Sequence, residues 1–198
     1  MSGLLPHTLE RRAVVARVLA GRRDLAVVSG LGAATYDVAA AGDHDRNFYL
    51  WGAMGGAATI GLGLALAQPG TPVLVITGDG EMLMGMGALA TIGAQRPGNL
   101  SILVLDNGLY EETGAQVTHT ALGTDLPAVA RACGIVDAAN IDDMNGIGRF
   151  AMRVHRLGDA PAFGVARIAA SSALKVLPSR DGAYIKGRMR RAFGLDAL

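Results

Sequence analysis

The chain has 198 residues, a formal net charge of +1 and a pI near 8.0, with 51% hydrophobic and 18% charged residues. That balance excludes a disordered chain, which buries little and repels itself, and it offers no basic surface of the kind that draws nucleic acid or acidic lipid. The single cysteine, Cys133, excludes an internal disulfide framework and a multi-cysteine zinc site.

In chain order, Thr8 is placed to cap a helix over 9–20, which Gly21 ends. Residues 25–29 read as a short apolar strand running into Gly30-Leu31-Gly32, with a helix over 35–41. Residues 47–51 read as a strand, 55–67 as a Gly/Ala-rich helix, and 72–77 as a β-branched strand. A helix over 82–95 carries Met82, Met84 and Met86 as packing residues. An apolar strand over 100–105 leads into a polar loop over 106–120. Helices over 125–132 and 142–157, a strand over 162–169 and a terminal helix over 181–193 complete the pattern.

No charged residue occurs from 47 to 78, but five glycines and Pro69-Gly70 interrupt that run, so a helix buried within an oligomer explains it better than a membrane span. The 28 glycines and 34 alanines suggest a protomer that covers much of its surface with other chains. No basic start followed by an apolar run marks a secretory signal, so a cytoplasmic protein without membrane or nucleic-acid partners is expected.

Apolar strands such as PVLVIT and LSILVL, alternating with helices, predict one α/β domain over 1–198. Its architecture is a doubly wound, mostly parallel sheet with helices on both faces. Ligands of such sheets bind beyond the carboxyl ends of the strands, which directs attention to the residues after Ser29, Trp51, Thr77 and Leu105. After Thr77 stands Gly78-Asp79-Gly80. Its glycines expose backbone N–H groups suited to phosphate, and a carboxylate among them is either a helix cap or one ligand of a bridging magnesium ion. After Leu105 stands Asp106-Asn107-Gly108-Leu109-Tyr110, either an Asn-Gly turn or further oxygen ligands for that ion. After Trp51, the Gly52-Ala53-Met54-Gly55-Gly56 turn presents Met54, which either fills a core gap or meets a ligand. A dinucleotide site is excluded. Thr35 replaces the third glycine of the fingerprint, and 47–51 carries no acidic residue for a ribose.

These residues together resemble the diphosphate-binding domain of thiamine-diphosphate enzymes, with Asn107 following Asp79 of Gly-Asp-Gly by 28 residues. Within that family the phrases NFYLWGAMGGAATIGLGLALA, GDGEMLMGMGALATIGAQRPGNL and LDNGLYEETGAQ are most similar to sulfopyruvate and phosphonopyruvate decarboxylases. The resemblance implies that Asp79, Asn107 and the main-chain oxygen of Leu109 hold Mg2+. Gly30, Leu31, Gly78, Gly80, Glu81 and Tyr110 would surround thiamine diphosphate, with Gly52 and Ala53 near its aminopyrimidine and Met54 wedged between its rings. Thr113 and Gln116 would lie near substrate as candidate catalytic residues. In this family a small hydroxyl residue often stands at Glu81, a serine at Ala53, a glycine at Ala115 and an asparagine at Asp106, though the subgroup this chain resembles often has aspartate at the last position.

In this family a glutamate activates the far side of the aminopyrimidine. The four glutamates here, Glu10, Glu81, Glu111 and Glu112, are not placed for it, so a partner chain is expected to supply it. The resemblance then implies a separately encoded β-type subunit of a 2-oxoacid decarboxylase. An α-type, pyrimidine-domain subunit would complete a hetero-oligomer, α2β2 or larger. His119, Arg167, Lys175 and Arg180 are candidates for a substrate sulfonate or phosphonate, although each reads more readily as a surface charge or helix-end partner, while His7, His44 and His155 read as ordinary. Two alternatives stay open: a subunit of a carboligase or oxidoreductase using the same cofactor, and a non-catalytic assembly module of the same fold.

Overall fold

The computed structural model describes residues 9–170 and 173–196. Its elements follow in chain order: α1 (Arg11–Leu19), β1 (Ala26–Ser29), α2 (Ala33–Ala40), β2 (Asn47–Tyr49), α3 (Ala57–Ala67), β3 (Val73–Gly78), α4 (Asp79–Met84) and α5 (Ala88–Gln95). Then come β4 (Leu100–Asp106), β5 (Leu109–Tyr110), a 3₁₀ turn (Glu111–Thr113), β6 (Gln116–Val117), α6 (Leu126–Ala132), β7 (Asp137–Ile141), α7 (Met144–Val154), β8 (Ala162–Arg167) and α8 (Gly182–Ala192).

Six strands form one parallel sheet in the order β2-β1-β3-β4-β8-β7. β1, β3 and β4 are buried almost throughout, because helices cover both faces and leave no side of these strands to water. One face meets α1, α2 and α7 through Val14, Val18, Val38, Ile147 and Phe150. The other meets α3, α5 and α6 through Ala58, Leu62, Leu89, Ile92 and Leu126. The expected doubly wound α/β architecture is therefore the observed one.

Several local expectations need correction. α1 is capped by Glu10, whose carboxylate accepts from the N–H groups of Arg12 and Ala13, while Leu9 is drawn into a parallel bridge with Ile168; the proposed cap Thr8 and His7 lie outside the described residues. The helix predicted over 82–95 is two helices, broken at Gly85-Met86-Gly87, where two glycines remove the preference for helical backbone. Met82 packs in the core as expected, but Met84 is exposed. The polar loop over 106–120 contains a two-stranded antiparallel hairpin, β5 with β6. β7 was hidden in the sequence, because an edge strand reading DAANI buries only Ala138 and Ile141. Among the described residues no helix is long and apolar enough to cross a membrane, and the uncharged run is divided between β2, α3 and β3.

Candidate functional site

β1, β3 and β4 are neighbours, and Gly78 lies in register with Leu105, so Asp79 and Asp106-Asn107 leave adjacent strands at the same level. A cavity enclosing about 650 Å3, mouth included, opens there. Leu31, Met54, Gly78, Asp79, Gly80 and Glu81 form one part of its wall. Asn107, Leu109, Tyr110 and Thr113 form another. Gly30 stands behind the wall, Gly52 and Ala53 are exposed in the turn after β2, and Gln116 is exposed on β6. Gln116 and Thr113 bond to each other across the hairpin, Gln116 Nε2 donating to the Thr113 carbonyl at 2.9 Å.

Asp79 is 2% exposed. Its Oδ2 accepts from the hydroxyls of Thr118 at 2.5 Å and Thr120 at 3.1 Å, and the Thr120 hydroxyl also stands 2.8 Å from Asp106 Oδ1. A hydroxyl has one proton, so Thr120 serves one of these two carboxylates at a time. Burial, with the charge of Asp106 adding to it, pushes the Asp79 carboxyl up to about 6, although the threonine hydrogen bonds oppose the rise. Such a carboxylate is short of positive charge. Asn107 Oδ1 accepts from the Leu109 N–H at 3.0 Å, and this turn brings the Asn107 side chain and the Leu109 backbone together in the cavity wall. One buried carboxylate, one amide oxygen and a nearby main-chain carbonyl suit Mg2+, which holds few protein ligands and keeps phosphate oxygens or water. Among the described residues no cluster of three or more His, Cys, Asp and Glu side chains offers the alternative of an all-protein metal cage.

The hairpin closes over this rim. A Cβ on Gly80 would stand 2.5 Å from the Tyr110 ring, so glycine there lets the ring lie directly on the backbone. Glu81 does not oppose a phosphate as freely as its charge suggests. Its Oε2 accepts from the Leu31 N–H at 2.9 Å and its Oε1 meets the Ala57 N–H at 3.4 Å.

Two groups in the site went unnoticed in the sequence. Thr118 and Thr120 follow β6, and the turn after it brings both hydroxyls to Asp79. Arg11 had no signal in the sequence. It sits 5% exposed in the cavity wall, paired with buried Asp37 and with Glu111 of the 3₁₀ turn. None of the anion-binding candidates lines the cavity, although Lys175 reaches Glu112 in its wall. Arg167 pairs with Asp142, Lys175 with Glu112, Arg180 stacks on Trp51, and His119 borders a separate shallow groove.

Residues 30–162 match the family model described as the thiamine pyrophosphate enzyme C-terminal TPP binding domain. The chain belongs to this family. A phosphonopyruvate decarboxylase of Streptomyces viridochromogenes is 49% identical over 139 residues, which cover 68% of this chain and 34% of that protein. A sulfopyruvate decarboxylase subunit beta of Methanothermobacter thermautotrophicus is 42% identical over 137 residues, covering 69% of this chain and 73% of that subunit. The chain thus spans about a third of the phosphonopyruvate decarboxylases it matches. The fold agrees with solved structures: a thiamine diphosphate-dependent 4-hydroxybenzoylformate decarboxylase of Rhodococcus jostii RHA1 superposes with a TM-score of 0.67 at 19% identity, covering 87% of this chain and 35% of that one. A 2-oxoglutarate:ferredoxin oxidoreductase of Magnetococcus marinus gives 0.64 at 15% identity, covering 99% and 84%.

Proposed function

We propose that this chain is the diphosphate-binding, β-type subunit of a thiamine-diphosphate- and Mg2+-dependent 2-oxoacid decarboxylase, acting on a small 2-oxo acid that carries a sulfonate or phosphonate. The observation that carries the reading is the pairing of Asp79 and Asn107 on adjacent strand ends, with a buried Asp79 short of counter-charge in the wall of one cavity. The named relatives support the reaction class, since they are phosphonopyruvate decarboxylases and sulfopyruvate decarboxylase beta subunits.

Thiamine diphosphate, when bound, supplies the electron sink that lets carbon dioxide leave a 2-oxo acid. This chain's part is placement. Asp79 Oδ, Asn107 Oδ1 and the Leu109 carbonyl would hold Mg2+ against the diphosphate. The backbone of Leu31 and of Gly78, Gly80 and Glu81 would surround its oxygens, and Tyr110 would cover them. Met54 would press between the cofactor rings from the turn after β2, with Gly52 and Ala53 toward the aminopyrimidine. Thr113 and Gln116, locked to each other on the hairpin, would stand at the substrate side.

Proton control requires a second chain on this reading. Glu10 caps α1, Glu81 is held by backbone N–H groups, Glu111 pairs with Arg11 and Glu112 with Lys175, so each glutamate is otherwise engaged. The activating glutamate would come from an α-type, pyrimidine-domain subunit in a cytoplasmic hetero-oligomer, α2β2 or larger. The test is to reconstitute the chain with such a subunit and measure carbon dioxide and aldehyde from pyruvate, sulfopyruvate and phosphonopyruvate. Turnover by the pair and none by the homogeneous chain is expected. Turnover by the chain alone overturns the division of labour, an acyloin without free aldehyde replaces decarboxylation with ligation, and a pair that binds cofactor but turns over nothing makes the chain an assembly module.

A further inference from the structure

We infer that Glu81 is a positioning residue: its carboxylate clamps the three backbone segments that would enclose the cofactor, and Gly30 is glycine to admit it. The inference rests on the reading of the cavity as the thiamine-diphosphate site.

Glu81 follows Gly-Asp-Gly directly, in the first turn of α4, and is 3% exposed. Its carboxylate reaches across to two other loops. Oε2 accepts from the Leu31 N–H, after β1, at 2.9 Å. Oε1 lies 3.4 Å from the Ala57 N–H at the start of α3, and the Gly55 backbone N–H interacts with the same carboxylate. These loops carry Leu31 and Met54, both in the cavity wall. One side chain therefore joins the segments after β1, β2 and β3, and it does so through charge-assisted bonds to backbone donors, which are stronger than neutral ones. The Thr77 hydroxyl, on β3 itself, also interacts with this carboxylate, but the contacts to the other two loops are all to backbone N–H groups, so there the clamp acts on main-chain position.

Gly30 supplies the independent mark of this arrangement. A Cβ built there would stand 1.8 Å from Glu81 Oε2 and 2.9 Å from the Thr77 hydroxyl. Its backbone adopts no glycine-only conformation, and its N–H donates to the Ile76 carbonyl at 2.8 Å as sheet pairing requires. The missing side chain is thus explained by the carboxylate packed against it rather than by a turn. A small hydroxyl residue at position 81 would be too short to reach the other two loops.

The test is a double-mutant cycle on the chain reconstituted with its pyrimidine-domain subunit, read by calorimetric titration with thiamine diphosphate and Mg2+ and by thermal unfolding. Glu81→Ala is expected to weaken the cofactor Kd at least tenfold at a temperature well below Tm. Glu81→Gln, which keeps one oxygen acceptor, is expected to lose less. Phe163→Leu, a core change far from the loops, is the control: it should lower Tm with no change in Kd. Gly30→Ala is expected to weaken binding strongly in the wild type and several-fold less in the Glu81→Ala background, where the obstructing carboxylate is gone. If Glu81→Ala resembles Phe163→Leu, losing Tm and keeping Kd, or if the two substitutions are additive, the inference is overturned. A wild-type pair that binds no thiamine diphosphate overturns the functional reading and this inference with it, whereas binding that ignores Glu81 overturns this inference alone.

Discussion

Asp79 shows how a buried carboxylate can work against the fold that holds it. Its carboxyl is raised from an ordinary 3.8 to about 6, first by burial. The folded chain then binds that proton more tightly than the unfolded chain, so the contribution favours folding below about pH 4 and is lost as pH rises through about 6. Asp79→Asn keeps the shape and removes the charge. It should raise the stability of the cofactor-free chain by about 1–2 kcal/mol at pH 7.5 and leave it little changed at about pH 3, below the unfolded carboxyl value. The same substitution should abolish Mg2+-dependent cofactor binding. Melting curves at the two pH values, with and without cofactor, check both halves. Ala115 carries a smaller strain. It holds φ +58, in the left-handed region that alanine disfavours, at an exposed position just after the 3₁₀ turn. Ala115→Gly should gain a few tenths to about 1 kcal/mol in urea unfolding, because relief of strain exceeds the extra freedom of the unfolded glycine.

At the scale of elements, the mouth of the site is held by a charge network between α1, α2 and the 3₁₀ turn. Arg11 pairs with Asp37 and, at 3.0 Å, with Glu111, and Arg12 reaches Asp37 at 3.1 Å. Asp37 is 1% exposed, and burial raises its carboxyl despite both arginines. Breaking such a buried pair by removing one partner strands the other charge. Arg11→Met should therefore cost about 3 kcal/mol, and adding Asp37→Leu should recover most of it. Chemical denaturation of the two variants tests this, and proteolysis should cut the Glu111–Thr113 turn faster once Arg11 no longer holds it. Element type was legible where a signal was strong and local: β3 and β4 announce themselves as continuous apolar runs. It was illegible where the partner was distant. β7 is a strand because β8 lies beside it, and Glu10 displaced Thr8 as the cap because Leu9 was drawn to Ile168.

For the whole molecule, the sheet is a rigid frame whose loops carry the site, so ligand binding should be read out as global stability. A cofactor that binds only the folded chain adds about 2.7 kcal/mol at one hundred times its Kd. Saturating thiamine diphosphate with Mg2+ should accordingly raise Tm by roughly 5–10 °C in a chain of this size. Mg2+ or the cofactor alone should do much less, and Asp79→Asn should abolish the shift. Differential scanning fluorimetry decides it, and a shift that persists in Asp79→Asn would remove the metal from the site.

The sequence by itself determined the parallel α/β frame and the rim on which chemistry would gather. Apolar runs and Gly-Asp-Gly are local patterns, and backbone rules convert them directly into strands, turns and exposed N–H groups. Only the tertiary structure decided how the rim is tied together. Thr118 and Thr120 reach Asp79 across 39 and 41 residues, Arg11 reaches Glu111 across 100, and Glu81 reaches Leu31 across 50. Such contacts depend on which strands lie side by side, and that order is set by the packing of the whole sheet rather than by any stretch of chain.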